Sequence, residues 1–363
     1  MKRRTRPFYL AQTQPGFEAI AADEIRSRLE DVTLRGTRTV ADKNGMVLFH
    51  YDGEPEDLME LRTIEDLFYV VCTIDQLPPS YAALRLIEEQ AHSAGGLEAA
   101  LRTARRLRPG RGGEGKLRYR VVARQVGRSA YRRVDAQRAF ERAIAARSDH
   151  RWRLAEESAL ELWLTLFPGE ALLAMRLSDE QMRHRSYKVE HLPASLRPTA
   201  AAALVWLTQP NDDDLFLDPM CGAGTILIER AHAGRYRMLV GGDSDLHALE
   251  VARANIGSRY KPIELHEWDA RQLPLDAASV TSAAINLPFG RQIGTTDENR
   301  SLYPALLREC ARVMQRHARL VLLSGDERNL TAAVRQSRHF QQRSTYNVQL
   351  LGRPARLLVL EHQ

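Results

Sequence analysis

The sequence predicts an α/β protein: a Rossmann-like, seven-stranded, mostly parallel sheet fills the C-terminal half, and α+β units precede it. Three observations predict this. The stretch Phe216-Leu-Asp-Pro-Met-Cys-Gly-Ala-Gly-Thr-Ile-Leu-Ile-Glu229 reads as a buried strand, a Gly-rich turn and a helix. Further apolar runs at 238–242, 263–268, 280–285, 320–324, 345–351 and 356–360 follow at the spacing of strands separated by helices. Residues 7–77 alternate in the order β-α-β-β-α-β.

At 363 residues the chain holds two or three domains. The divisions fall at 1–78 (a ferredoxin-like unit), 79–178 (a basic α+β unit), 179–209 (a linker and helix) and 210–363 (the Rossmann-like unit). The apolar share of 44% and charged share of 27% are those of a globular protein. No stretch approaches the ~18 uninterrupted apolar residues of a membrane span, and no apolar leader core follows the basic start, so the expectation is a cytoplasmic protein. Cys72, Cys221 and Cys310 form no C-x-x-C pair, which predicts neither a metal site nor a disulfide framework.

In chain order, Phe8–Gln12 is a strand, Gly16–Leu29 a helix, Val32–Val40 and Met46–His50 two strands around an Asn-Gly turn. Pro55 opens a helix, and Asp66–Leu77 is a β-rich run. A helix at Tyr81–Ala91 precedes an Arg-rich segment broken by glycines, a strand at Leu117–Gln125, a helix at Asp135–Ala146, and a hairpin around Pro168-Gly169. Residues 101–153 carry 17 Lys or Arg against 4 acids, a composition suited to a polyanion. Arg132, Arg133, Arg138 and Arg142 gather at or near the start of the 135–146 helix as candidate phosphate contacts. The alternative is an Arg-biased, solvated surface.

The C-terminal unit carries the chemistry. Gly222 and Gly224 let backbone approach a ligand, yet the third glycine of a dinucleotide fingerprint is replaced by Leu227. Asp218, Pro219, Cys221 and Thr225 complete a turn suited to S-adenosylmethionine, with its charged amino-acid end and no pyrophosphate. Cys221 reads as a small spacer within it. Asp243 closes the second strand about twenty residues beyond the turn, where a carboxylate accepts both ribose hydroxyls. Asp245 is the second choice, or a helix cap. Asp269-Ala270 closes the third strand, placed to accept from an adenine amine or to cap a turn.

Asn286-Leu-Pro-Phe289 ends the fourth strand. An exocyclic base amine is a poor nucleophile because its lone pair is delocalised into the ring. The Asn286 amide oxygen and the carbonyl of Leu287 or Pro288 can accept its two N–H bonds and aim it at a methyl group, while Phe289 stacks on an extruded base. Arg291 could meet a phosphate. No cysteine lies nearby to serve carbon-5 chemistry on a pyrimidine.

The opening Thr13-x-Pro-Gly-Phe-Glu18, the strand RYRVVA with its basic helix and the hairpin resemble the N-terminal ferredoxin-like and THUMP domains of RNA-modifying enzymes. FLDPMCGAGTILIE, GGDSD, EWDA and NLPFG extend the likeness to the THUMP-domain-containing tRNA guanine-N(2)-methyltransferases, the TrmN-like family of S-adenosylmethionine enzymes. The resemblance implies a THUMP domain at 79–178, docking on the acceptor stem and 3′ end of tRNA, and methylation of a guanosine 2-amino group at position 6. It also implies a place for Arg197 and Thr199 beside the methionine end of the cofactor. A monomer without a metal is the further expectation. Leu287 departs from the commoner Asp/Asn-Pro-Pro-Tyr/Phe, which leaves the target nucleotide open. Position 10, ribosomal RNA, adenine methylation of DNA and a non-catalytic RNA-binding scaffold are the competing readings.

Overall fold

The computed structural model describes residues 6–40, 43–110, 116–147, 151–158, 160–193, 195–290 and 294–363. The N-terminal half begins with β1 (Phe8–Thr13), α1 (Glu18–Arg28), β2 (Thr33–Val40), β3 (Asn44–His50) and β4 (Asp66–Leu77). It continues with α2 (Ala82–Ser93), α3 (Gly96–Leu107), β5 (Leu117–Gln125), α4 (Arg133–Ala145), β6 (Trp152–Leu154), β7 (Leu160–Phe167) and β8 (Gly169–Arg176). These strands form one eight-stranded sheet in the order β2-β3-β1-β4-β8-β7-β5-β6. The order β2-β3-β1-β4, antiparallel throughout, is the ferredoxin-like arrangement.

Two features differ from the sequence expectation. Pro55 leads not into an α-helix but into a 3-10 turn at Asp57–Glu60, because Leu58, Leu61 and Ile64 are all buried within a short connection. The Arg-rich segment is in part a full helix, α3, that buries Leu97, Ala100, Leu101 and Ala104 at i, i+3, i+4, i+7. The sheet runs unbroken across residue 78, since β4 pairs with β1 over its first four residues and with β8 along most of its length.

A short helix α5 (Gln181–His184) and α6 (Pro198–Leu207) lead into the C-terminal half. There follow β9 (Leu215–Asp218), α7 (Thr225–Ala233), β10 (Met238–Asp243), α8 (Leu246–Ile256), β11 (Ile263–Glu267) and β12 (Val280–Asn286). The last elements are α9 (Thr296–Val313), β13 (Met314–Ser324), α10 (Glu327–Ser337), β14 (Phe340–Leu350) and β15 (Arg353–His362). The seven strands take the order β11-β10-β9-β12-β13-β15-β14. β15 slots between β13 and β14 and is antiparallel to both. β9 and β12 lie in mid-sheet with Phe216, Leu217, Ala283, Ala284 and Ile285 buried, which is why they read as unbroken apolar runs. α9 and α10 were not expected from periodicity. α9 does carry a capping box, Thr295 with Glu298, but Pro304 in its interior breaks the helical pattern.

The two halves share a joint. The Pro15-Gly16 turn lies on β14, where the Gln349 N–H donates to the Pro15 carbonyl at 2.9 Å. Gly16 has φ +90°, and a Cβ there would stand 2.1 Å from the Asn347 carbonyl oxygen. Phe17 and Ile20 then enter the same apolar cluster as Ala200, Leu204, Val348 and Leu350. The Thr13–Glu18 motif thus covers the edge strand of the C-terminal sheet. Among the described residues no helix is long and apolar enough to cross a membrane.

Candidate active site

The parallel strands deliver their last residues to one edge: Asp218 from β9, Asp243 from β10, Asn286 from β12 and Ser324 from β13. β9 sits between β10 and β12, so the strand order reverses there and opens the crevice in which α/β sheets bind ligands.

The Gly-rich turn is tied down from two sides. The Cys221 N–H donates to the Gly242 carbonyl at 2.8 Å, and the Gly222 N–H donates to Asp243 Oδ2 at 2.9 Å. Gly224, left-handed at φ 74°, is the N-cap of α7, where a side chain would be strained. Pro219, Cys221 and Thr225 are buried around it. Trp268 adds a brace that sequence reading missed: its Nε1–H donates to the Pro219 carbonyl at 3.0 Å, and its ring is stacked with His266.

Asp218 is 1% exposed and accepts from the Met220 N–H at 3.3 Å. Burial pushes its carboxyl well above the ordinary 3.8, and the neighbouring Asp243 adds to the rise. The folded chain therefore holds this proton more tightly than the unfolded chain. That contribution to stability is complete below the ordinary aspartate value and is lost as pH climbs through the raised one. Asp218→Asn escapes the loss. Its melting temperature is expected to pull ahead of wild type as pH rises from about 4 to 8, by the equivalent of ~1–3 kcal/mol, in calorimetric melts of the ligand-free protein. A constant gap across that range would show that Asp218 does not titrate on unfolding.

Asp245 caps α8, accepting from the His247 N–H at 2.9 Å, and its own N–H donates to Asp243 Oδ1 at 3.1 Å. Asp269 is paired with Arg271 at 2.6 Å, and this hydrogen-bonded partner lowers its carboxyl below the usual range. Ala270 beside it is buried. Arg197 and Thr199 both bond to the N-terminal half: Arg197 pairs with Glu65 at 2.7 Å, and Thr199 accepts from Gln14 Nε2 at 3.4 Å.

Asn286 is half-buried, and its Oδ1 is shielded from solvent with no hydrogen-bond donor. The next residues are fixed. Leu287, 2% exposed, donates its N–H to the Leu323 carbonyl at 2.9 Å. The Pro288 carbonyl accepts from Asn299 Nδ2 at 3.0 Å and from the Tyr303 hydroxyl at 2.5 Å. Phe289 lies against Gly325, where a Cβ would come within 2.5 Å of the ring. Asn299, Tyr303 and Gly325 were invisible to motif reading because they lie on α9 and beyond β13, outside the tetrapeptide they support.

Of the basic residues on or before α4, Arg132 pairs with Asp135, Arg142 pairs with Glu88, and Arg133 donates to the Ala123 carbonyl at 3.1 Å. Arg138 is exposed on the same helix. Exposed pairs of this kind are weak and exchangeable. Arg291 lies outside the described residues.

Residues 185–355 match the family described as RMKL-like, methyltransferase domain. The C-terminal half carries a methyltransferase domain. The protein is 31% identical over 240 residues to the human tRNA (guanine(6)-N(2))-methyltransferase THUMP3, covering 61% of this chain and 46% of the human protein. It is 29% identical over 217 residues to the tRNA (guanine(6)-N2)-methyltransferase of Thermus thermophilus, covering 58% of this chain and 63% of that one. The chain thus spans less than half the length of the human relative it matches. The crystal structure of TrmN from Thermus thermophilus superposes with a TM-score of 0.80 at 24% identity, over 98% of this chain and 100% of that one. The methyltransferase domain and the N-terminal sheet are therefore parts of one shared fold.

Proposed function

We propose that this chain is an S-adenosylmethionine-dependent tRNA methyltransferase that modifies the 2-amino group of a guanosine, in the acceptor stem at position 6. One observation carries the reading: Asn286 Oδ1 is a buried acceptor with no donor, at the end of β12 where the switch-point crevice opens. A buried acceptor left unpaired costs ~1–3 kcal/mol, which a donor brought by the substrate removes. The names of the human and Thermus thermophilus relatives support guanine as the base and tRNA as the carrier.

The residues around the crevice fit the cofactor. The Gly222–Gly224 turn leaves open space at Gly222, with nothing within 4 Å of a Cβ built there. Asp218 and the turn would face the methionine end, Asp243 the ribose, and Asp269-Ala270 the adenine. S-adenosylmethionine, when bound, supplies an electrophilic methyl group. The chain itself orients the nucleophile. Asn286 Oδ1 takes one N–H of the guanine amine. The Pro288 carbonyl already uses both lone pairs, so the Leu287 carbonyl takes the other. With both protons held, the nitrogen lone pair is drawn out of the ring and aimed in line. Phe289 stacks on the extruded base, worth ~1–3 kcal/mol. The ferredoxin-like unit and the THUMP unit at 79–178 hold the acceptor stem and 3′ end, with Arg132, Arg133, Arg138 and Arg142 toward phosphates.

Incubating the protein with S-adenosylmethionine and an unmodified tRNA transcript is expected to yield N(2)-methylguanosine by nucleoside mass spectrometry, lost when guanosine 6 is replaced. Product that persists after that replacement would move the target. A methylated adenosine or pyrimidine in its place would sink the reading.

A further inference from the structure

We infer that Asn299 and Tyr303 are positioning residues for methyl transfer, which fix the Pro288 carbonyl so that Asn286 and the Leu287 carbonyl face the substrate amine. The inference rests on the function proposed above. Both residues come from α9, and neither belongs to the strand-end motif that they hold.

The Pro288 carbonyl accepts from two buried donors on one helix: Asn299, 0% exposed, and Tyr303, 1% exposed. Each donor is itself pinned. The Tyr303 oxygen lies 2.8 Å from Ser324 Oγ, and Ser324 Oγ accepts from the Asp326 N–H at 2.9 Å. Asn299 Nδ2 spends its second hydrogen on Asp326 Oδ2 at 3.1 Å, and that oxygen also accepts from Asn329 Nδ2 at 2.8 Å. Asp326 is the N-cap of α10. The end of β13 and the starts of α9 and α10 therefore converge on one peptide carbonyl.

Satisfying this carbonyl has a cost that packing does not explain. With both Nδ2 hydrogens committed to acceptors, Asn299 Oδ1 is left buried without a donor. Buried polar groups in that condition are uncommon and point to a role beyond the core. Here the role is directional. A Pro288 carbonyl free to rotate about its own ψ would turn the peptide to Phe289. Without its anchor the rigid Leu287–Pro288 unit, whose Leu287 carbonyl must meet the amine, could shift as a body. The freed Pro288 carbonyl would also compete for the amine's protons in the wrong place.

Tyr303→Phe keeps the ring and removes only the hydroxyl; Asn299→Ser removes the amide donor. At saturating tRNA and S-adenosylmethionine each is expected to lower kcat ~10–100-fold, because small misplacements of reacting groups cost that much. KM for tRNA, calorimetric cofactor affinity and the melting temperature of Tyr303→Phe are expected to stay near wild type. Since both act through one carbonyl, the double variant loses less than the product of the single losses. A folded Tyr303→Phe with unchanged kcat overturns the inference, as does a loss shared equally by kcat, cofactor affinity and melting temperature. If wild type is active and Asn286→Ala inactive while Tyr303→Phe is fully active, only this inference fails. A wild type that transfers no methyl group to guanosine overturns it together with the function.

Discussion

Asn286→Ala is expected to lower turnover on tRNA by roughly 100- to 1,000-fold, the usual cost of removing one preorganised polar group from the transition state. The loss belongs in kcat. On the proposed function the substrate base still stacks on Phe289 and the N-terminal half still grips the tRNA, so KM is expected to change little. Stability is expected to hold or rise slightly, because the deleted Oδ1 is a buried acceptor that no donor serves in the free protein. Asn286→Asp keeps an oxygen acceptor of the same reach and is expected to retain activity within about tenfold of wild type. Single-turnover transfer of a labelled methyl group, with cofactor binding followed by calorimetry, separates these outcomes. Normal turnover by a folded Asn286→Ala that still binds cofactor would remove Asn286 from the mechanism.

The ends of the central strands were legible because each combines a buried apolar run with one polar residue that no packing reason requires. Asp218, Asp243 and Asn286 stand out on those grounds, and the sheet brings them to one edge. What supports them was not legible. Trp268 braces the turn through a hydrogen bond to a backbone carbonyl, and backbone partners leave no trace in sequence. Arg197 and Thr199 were read beside the cofactor from a motif alone; their partners Glu65 and Gln14 lie 132 and 185 residues away in the chain. α3 did carry its signal in Leu97, Ala100, Leu101 and Ala104, but the interleaved Arg102, Arg105 and Arg106 draw the reading to charge rather than to periodicity. Strand ends are local, whereas joints are made by contacts between distant segments.

The joint itself is expected to respond most strongly at Glu229, the acid that ends the Gly-turn motif on α7. Its side chain is fully buried and accepts from Arg62 Nε at 2.7 Å, Arg62 Nη2 at 3.0 Å and the Tyr187 hydroxyl at 2.6 Å. Arg185 Nε stands 3.9 Å away without a hydrogen bond. One carboxylate thus serves two arginines, and the consequence differs between them. Burial opposes the charge on both, but Glu229 lifts Arg62 above its ordinary value, whereas Arg185 stays below its own with Arg62 repelling it. Glu229→Ala would leave two largely buried guanidiniums without their shared carboxylate, so the expected loss is ~3–5 kcal/mol, that of a broken buried pair. Denaturant titration measures it. The triple change Arg62→Met, Arg185→Met and Glu229→Met is expected to recover most of that loss, since well-packed apolar residues often match buried ion pairs. Because α7 follows directly on its N-cap Gly224 and Arg62 belongs to the N-terminal half, Glu229→Ala is also expected to loosen the halves and weaken cofactor binding together. A variant that loses less than ~1 kcal/mol would place this contact among the weak surface pairs and leave the Pro15-Gly16 contact on β14 as the main hold between the halves.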